Sequence, residues 1–316
     1  VEAKPKKPDP KKKDEVYDVV VVGAGFAGMC AALEAAEQGA KTVLLEKMGR
    51  PDGTTVYSSG WIAAVGSRFQ KNHPEDNEEA FFNDMMKLSG YRSDPELVRV
   101  YAKEAGKGID WLADHGTPFF LWENLPAPEL SRCVISPGEG ITGGGRLVEK
   151  LLEACKKRGI DILFQHKAIE LLHDEHFAVT GVKVLTPDGQ KSFLAKAGVC
   201  ICTGGFSANP EMVDRYIGGW ATRMVLRGSK STTGENISLT MPLYTKFVNM
   251  DQFHSGPILG KTHVNPADVL NSGYGVQVNT SGQRYMDENN TYVIKARTTA
   301  QMTLDNYAWV IAVSYT

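Results

Sequence analysis

The sequence predicts an α/β fold: helices flanking a parallel sheet, an added β-ribbon, and the start of a smaller α+β region near the C-terminal end. Three observations carry this. YDVVVVGAG, from Tyr17, is a continuous β-branched run that stops on glycine, as a strand buried on both faces does. FAGMCAALEAAEQG follows, alanine-rich with helical spacing and closed by Gly39 as a helix stop. KTVLLEK then returns to a short apolar strand ending at Glu46, completing a βαβ unit of about thirty residues.

The remaining elements follow in order. PEDNEEAFFNDMMKLSG and DPELVRVYAKEAGKGIDWLADHG read as amphipathic helices, the second opened by Asp94 and Pro95 as cap and first-turn residue. GRLVEKLLEACKKRG is another helix, and IDILFQH a strand. HFAVTGVKVLT and QKSFLAKAGVCICTGG flank the turn PDG, which predicts a β-ribbon whose second strand returns to the main sheet. The first fifteen residues hold six lysines, four acids and three prolines, so residues 1–16 are expected to be a disordered tether. Residues 17–249 then form the main domain and 250–316 the smaller one.

Composition narrows the function. The chain has 316 residues, 42% apolar and 23% charged, as ordinary globular proteins do. No apolar run approaches the roughly eighteen residues of a membrane span. A net charge of -2 argues against nucleic acid as a partner. The five cysteines, Cys30, Cys133, Cys155, Cys200 and Cys202, are scattered and odd in number, which argues against a disulfide framework. Cys200 and Cys202 have no second pair, so no metal site is expected. The chain begins at Val1 without an apolar signal segment; cytoplasm is the expected compartment, with a processed exported protein as the alternative.

Gly23-Ala24-Gly25-Phe26-Ala27-Gly28 matches GxGxxG between the first strand and helix. Gly23 permits the tight turn, Gly25 lets a pyrophosphate approach the backbone, and Gly28 lets helix and strand pack closely. The helix start offers N–H groups to phosphate. Glu46, with Lys47 beside it, ends the second strand where a carboxylate accepts from ribose hydroxyls and repels a 2′-phosphate. A dinucleotide with a free ribose is implied.

Three further blocks resemble the FAD-dependent oxidoreductases that include fumarate reductase flavoproteins, urocanate reductases and 3-ketosteroid dehydrogenases. DGTTVYSSGWIAAVGSRFQ (residues 52–70) resembles that family's GGxTxxSGGGxxAAGT loop, TGGGRLVEKLLEACKKRGIDI its TGGG–helix–strand block, and CTGGFSAN its ATGGFxxN return strand. The resemblance implies a Rossmann-like FAD-binding domain followed by the beginning of a cap domain. It places Thr54, Thr55, Ser58, Ser59 and Gly60 on the flavin side, Ala168 at the adenine, and Thr203, Gly204 and Gly205 over the cofactor; His166 reads as a surface imidazole. Two departures stand out. Trp61 occupies a glycine position of SGGG, and TGDG becomes Thr233-Gly234-Glu235-Asn236, which puts flavin contacts from that loop in doubt.

The cap segment carries the chemistry. MDQFHSGPI places His254 where fumarate reductases hold a substrate carboxylate, while 267–271 lack the arginine of their Thr-Glu-x-x-Arg clamp. Counting from Arg284 along RFxNExTTR, the family's proton-donating arginine becomes Tyr292, which resembles the catalytic tyrosine of 3-ketosteroid dehydrogenases. Tyr274 and Trp61 are aromatic pocket candidates, and Arg284 with Glu288 reads as an architectural pair. The resemblance therefore implies hydrogen exchange across a C–C bond conjugated to a carbonyl, with a 3-ketosteroid or other enone as substrate and a separate electron donor or acceptor. The alternatives are a fumarate- or urocanate-type reductase, or an incomplete flavin-binding fragment without activity. The chain ends at AWVIAVSYT, inside the expected cap, so it is expected to belong to a longer protein.

Overall fold

The computed structural model describes residues 15–70, 76–121, 132–138, 141–262 and 275–312. In chain order these form β1 (Glu15–Val22), α1 (Phe26–Glu37), β2 (Thr42–Leu45), β3 (Trp61–Ala63), α2 (Glu78–Leu88), α3 (Pro95–Asp114), β4 (Phe120–Leu121), β5 (Cys133–Ile135) and α4 (Gly143–Arg158). There follow β6 (Asp161–Leu163), β7 (Lys167–His173), β8 (Val179–Thr186), β9 (Gly189–Ile201), α5 (Pro210–Tyr216), α6 (Glu235–Thr240), β10 (Gly275–Val278), α7 (Tyr292–Met302) and β11 (Trp309–Ala312).

The main sheet has the order β6-β2-β1-β9-β8-β7. Its first four strands run parallel, and β8 and β7 add to β9 as an antiparallel ribbon. Both faces of β1 are covered, which is why its sequence is an unbroken apolar run rather than an alternation. Val21 packs with Met29 and Leu33 of α1 and Leu151 of α4. Val20 and Val22 pack on the opposite face with Val43, Leu45 and Phe193. A small antiparallel sheet, β3-β5-β4, and the pair β10-β11 complete the strands among the described residues.

Four expectations are corrected. β1 begins at Glu15, because Glu15 and Val16 already pair with Phe193 and Leu194, so the first strand reaches into the expected tether; residues 1–14 lie outside the described residues. IDILFQH is not one strand: it breaks at Gln165, whose φ of 58° turns the chain from β6 into β7. The ribbon accordingly has a third strand, β7, whose irregular register between Ala168 and Glu170 hides its alternation. Finally, α4 starts at Gly143, because the Thr142 hydroxyl accepts from the Gly145 amide at 2.9 Å and caps the triple glycine.

The C-terminal elements are braced by one ion pair. The Arg284 guanidinium binds Glu288 at 2.5 and 3.0 Å, and the same carboxylate accepts from the Gln277 amide of β10 at 2.9 Å.

Candidate functional site

The strands β1, β2 and β9 deliver their C-terminal ends to one cavity of about 320 Å³. In open α/β sheets this is where ligands bind. Gly23, Gly25, Phe26 and Ala27 form one wall, Glu46 and Lys47 a second, and Thr203, Gly204 and Gly205 a third. Asp52, Thr54, Thr55, His166, Ala168, Ser231 and Glu235 close the remainder.

The donor set suits an anion. The starts of α2, α3, α4, α5 and α7 are each capped by a side chain, from Asn77, Asp94, Thr142, Asn209 and Thr291. Those of α1 and α6 begin on Gly25 and Gly234 with no side-chain cap, and residues of both line the cavity. The first turn of α1 carries no acidic residue either, so its amides and dipole are left for an external anion. Gly23 adopts φ 105°, and a Cβ there would stand 2.4 Å from the Cys202 carbonyl oxygen. Only glycine lets the loop lie this close to β9.

Glu46 does two jobs. It is 6% exposed, and its carboxylate accepts from the Ala24 and Met48 amides, each at 2.8 Å. It thereby holds the glycine loop against the end of β2, while each oxygen keeps a second lone pair. Burial raises its pKa, with the two amides acting in the opposite direction.

Lys47 is a brace between loops. Its ammonium donates to the Ser231 carbonyl, to Thr233 Oγ1 at 3.1 Å and to Glu235 Oε1 at 2.5 Å. The extra methylene of Glu235 thus has a use: it reaches the lysine. Burial pushes the Glu235 pKa up, but the bonds from Lys47 and Thr233 outweigh it and leave the group lowered. Asp52 makes a parallel link, accepting from Ser229 and Ser231 hydroxyls at 2.6 Å each.

Several of the residues expected at the cofactor do not line this cavity. Ser58 is a turn residue: its hydroxyl donates to the Thr55 carbonyl at 2.9 Å and accepts from the Gly60 amide at 3.3 Å. Ser58, Ser59 and Gly60 are absent from the cavity lining, because this loop is seated on the start of α4 instead. Gly28 is also off the wall, where a Cβ would meet the Gly23 carbonyl oxygen at 1.8 Å. Conversely, His166 is not a surface imidazole: it lines the cavity and its Nε2 is buried. Asp52, Gly53, Ser231 and Thr232 also line it although the sequence does not single them out; the hydroxyl-rich run around 52–55 is a signal for the first two.

Away from this cavity, His254 Nε2 lies 2.7 Å from the hydroxyl of Tyr292, the first residue of α7, with the rings edge to face. Neither residue lines the dinucleotide cavity. Desolvation raises the Tyr292 pKa and lowers that of His254, so at neutral pH the phenol keeps its proton and the imidazole is uncharged. Trp61 opens β3 and is 39% exposed; Tyr274 and 267–271 lie outside the described residues. Among the described residues no group of three or more His, Cys, Asp or Glu is placed to hold a metal ion. No helix there is long and apolar enough to cross a membrane.

Fold and cavity together define a dinucleotide-binding α/β protein. The sequence profile of the family described as FAD binding domain matches residues 18–312, and the chain belongs to that family. A relative from Klebsiella pneumoniae strain 342, named NADH:fumarate oxidoreductase, is 31% identical over 282 residues, covering 87% of this chain and 30% of its own length. The open conformation of a flavocytochrome c3 fumarate reductase superposes with TM-score 0.78 at 26% identity, covering 95% of this chain and 53% of that one. A 3-ketosteroid-Δ4-(5α)-dehydrogenase from Rhodococcus jostii RHA1, at TM-score 0.81 and 24% identity over 95% of this chain and 67% of that one, has the same fold. Among these curated relatives the chain spans between 30% and 58% of their length.

The residues present fit FAD. Thr203 Oγ1, His166 Nε2 and Glu235 Oε2, all on residues that line the cavity, are buried without a hydrogen-bond partner among the described residues. Buried polar atoms normally have partners, so three around one cavity are what a polar ligand would satisfy. Acidic Glu46, Asp52 and Glu235 leave amides and glycine loops, rather than a cluster of cations, to meet the pyrophosphate.

Proposed function

We propose that the chain is the flavin-binding part of an oxidoreductase acting on a C–C bond conjugated to a carbonyl. The observation that carries this is the 2.7 Å contact between His254 and Tyr292, residues 38 apart in sequence. Bound FAD supplies hydride exchange with the β-carbon. Tyr292 supplies the matching proton at the α-carbon in reduction and removes it in dehydrogenation. In reduction the neutral phenol gives up its proton and is left as phenolate; in dehydrogenation His254 first takes the phenolic proton, so that the phenolate acts as the base. His254 orients that hydroxyl, and after taking a proton from solvent it returns one to the phenolate.

A neutral dyad, together with the lack of arginine in 267–271, supports a weakly acidic substrate such as a 3-ketosteroid or another enone. In this reading residues 250–316 are the beginning of a cap over the substrate, and a separate electron donor or acceptor completes the cycle. The second reading, reduction of an unsaturated carboxylate, is favoured by the name of the Klebsiella relative.

The test is anaerobic oxidation of reduced flavin by an enone or by fumarate, on protein loaded with FAD. Tyr292→Phe should leave the flavin spectrum unchanged and lower the rate by about 10²- to 10⁴-fold, the usual contribution of a general acid. Full turnover in that variant removes the role given to the phenol. Flavin bands with no turnover of either substrate would favour an inactive fragment.

A further inference from the structure

The His166 imidazole is built into the cavity wall, and the Rossmann-like architecture does not require it. The turn that carries it depends on Gln165, which adopts φ 58° although it is not glycine. Such a conformation costs about 1 kcal/mol or more and persists only where neighbours impose it. Here the Gln165 amide donates to the Met48 carbonyl at 3.0 Å and the His166 amide to the Glu46 carbonyl at 2.8 Å. Those bonds tie the turn to the strand end that holds Glu46.

The ring itself is fixed twice. Its edge-to-face contact with buried Phe193, at 5.9 Å and 70°, sets its plane. Nδ1 lies 2.7 Å from the Phe164 carbonyl oxygen, which can only accept, so Nδ1 carries the proton. In the neutral ring Nε2 is then a hydrogen-bond acceptor, and it is buried without a partner among the described residues. Glu46, lining the same cavity, is acceptor-only when ionised. Two residues with acceptor capacity in the wall of one cavity suit a ligand rich in donors. In FAD those donors are the ribose hydroxyls and the exocyclic amine of the adenosine half, together with the ribityl hydroxyls and N3–H of the flavin half. Ala168, the residue placed at the adenine by the family resemblance, lines the cavity two positions further along.

The geometry points to His166 Nε2 as an acceptor for the adenosine half of FAD, a contact additional to those of Glu46 and the glycine loop. This rests on the FAD reading above. Binding would relieve a buried, unsatisfied acceptor, so its loss is felt in affinity rather than in chemistry.

The full chain, freed of flavin, is titrated with FAD by fluorescence quenching and with ADP by calorimetry. His166→Phe keeps an aromatic ring against Phe193 and removes the acceptor. It should weaken both ligands about tenfold, equivalent to about 1.4 kcal/mol, while His166→Gln, which offers a carbonyl oxygen, recovers part of the loss. Unchanged affinity for both ligands in a folded His166→Phe protein overturns the inference and leaves the FAD reading standing, as does a loss confined to FAD with ADP unaffected. A wild-type chain that takes up no FAD removes both. Should His166→Phe fail to fold, nitrogen NMR of the wild-type imidazole decides: ADP must shift the Nε2 resonance, and a resonance that stays in place refutes the contact.

Discussion

Gly144→Ala is the sharpest test of how the cavity wall is supported. Gly144 lies in the first turn of α4, and a Cβ there would stand 1.9 Å from the Thr55 carbonyl oxygen and 2.2 Å from Ser58 Oγ. Carbon and oxygen normally approach to no less than about 3.3 Å. The serine hydroxyl can swing away, but the backbone of Thr55 must retreat by more than ~1 Å. Thr55 is part of the cavity lining, so the displacement is transmitted to the cofactor. Alanine favours helix over glycine by about 1 kcal/mol, and overpacking of this kind costs about 1–3 kcal/mol. The wall should therefore lose both stability and FAD affinity. Gly108 supplies the control, because it sits inside α3 with nothing within 4 Å of the position a Cβ would take. Gly108→Ala should gain about 0.5–1 kcal/mol. Urea unfolding of the two variants, with FAD titrations alongside, checks the pair. If Gly144→Ala proves as stable as Gly108→Ala and binds FAD as wild type does, the seating of the 55–59 loop on α4 is not what shapes the wall.

Two further outcomes follow from the polar network. Lys47→Met strips Glu235 of its cation and leaves the Ser231 carbonyl and Thr233 hydroxyl without their shared donor; urea unfolding should show a loss of about 1–3 kcal/mol, and a loss no larger than that of an exposed pair, below about 0.5 kcal/mol, would contradict a bracing role. The second concerns pH. His115 Nε2 meets Glu37 at 2.8 Å and Nδ1 meets the Trp111 carbonyl at 2.7 Å, joining the ends of α1 and α3. Desolvation alone would lower the His115 pKa, but the bonds to Glu37 and Trp111 outweigh it and raise it, while the bond from His115 lowers that of Glu37. The histidine contribution is full below about pH 6.5 and lost as pH rises through its raised folded value; the glutamate contribution is full above about pH 4.3 and lost as pH falls. The melting-temperature gap between wild type and His115→Ala should thus be widest between those values and narrow on the alkaline side; a gap that stays constant to pH 9 would refute the clasp.

What can be read from the sequence is what short-range pattern controls. The first βαβ unit is legible because burial of both sheet faces leaves an apolar run in Val19, Val20, Val21 and Val22 and places glycines where strand and helix touch. The third ribbon strand is not, since a register irregularity breaks the alternation of Lys167–His173. His166 looks like a surface residue for a similar reason: its position depends on a left-handed Gln165 and on backbone bonds to Met48 and Glu46, which lie far earlier in the chain. That the loop of Ser58 and Gly60 is seated on Gly143 and Gly144 is likewise not legible, since small and hydroxyl residues suit a cofactor loop and a tight turn alike. Tyr292 and His254 stand out in the sequence one at a time; that they form a hydrogen-bonded dyad needs the tertiary structure.

The uncapped starts of α1 and α6 carry a consequence for the life of the protein. The helices α2, α3, α4, α5 and α7 are finished by their own side chains, so they are complete as soon as the chain folds. Of the other two, α6 carries Glu235 in its first turn, and α1 alone leaves its amides to a bound anion. A ligand that binds only the folded form stabilises it in proportion to the logarithm of its concentration over the dissociation constant. Saturating FAD should therefore raise the resistance of the folded chain to unfolding and to proteolysis, and flavin-free chain should be the form that a protease removes first.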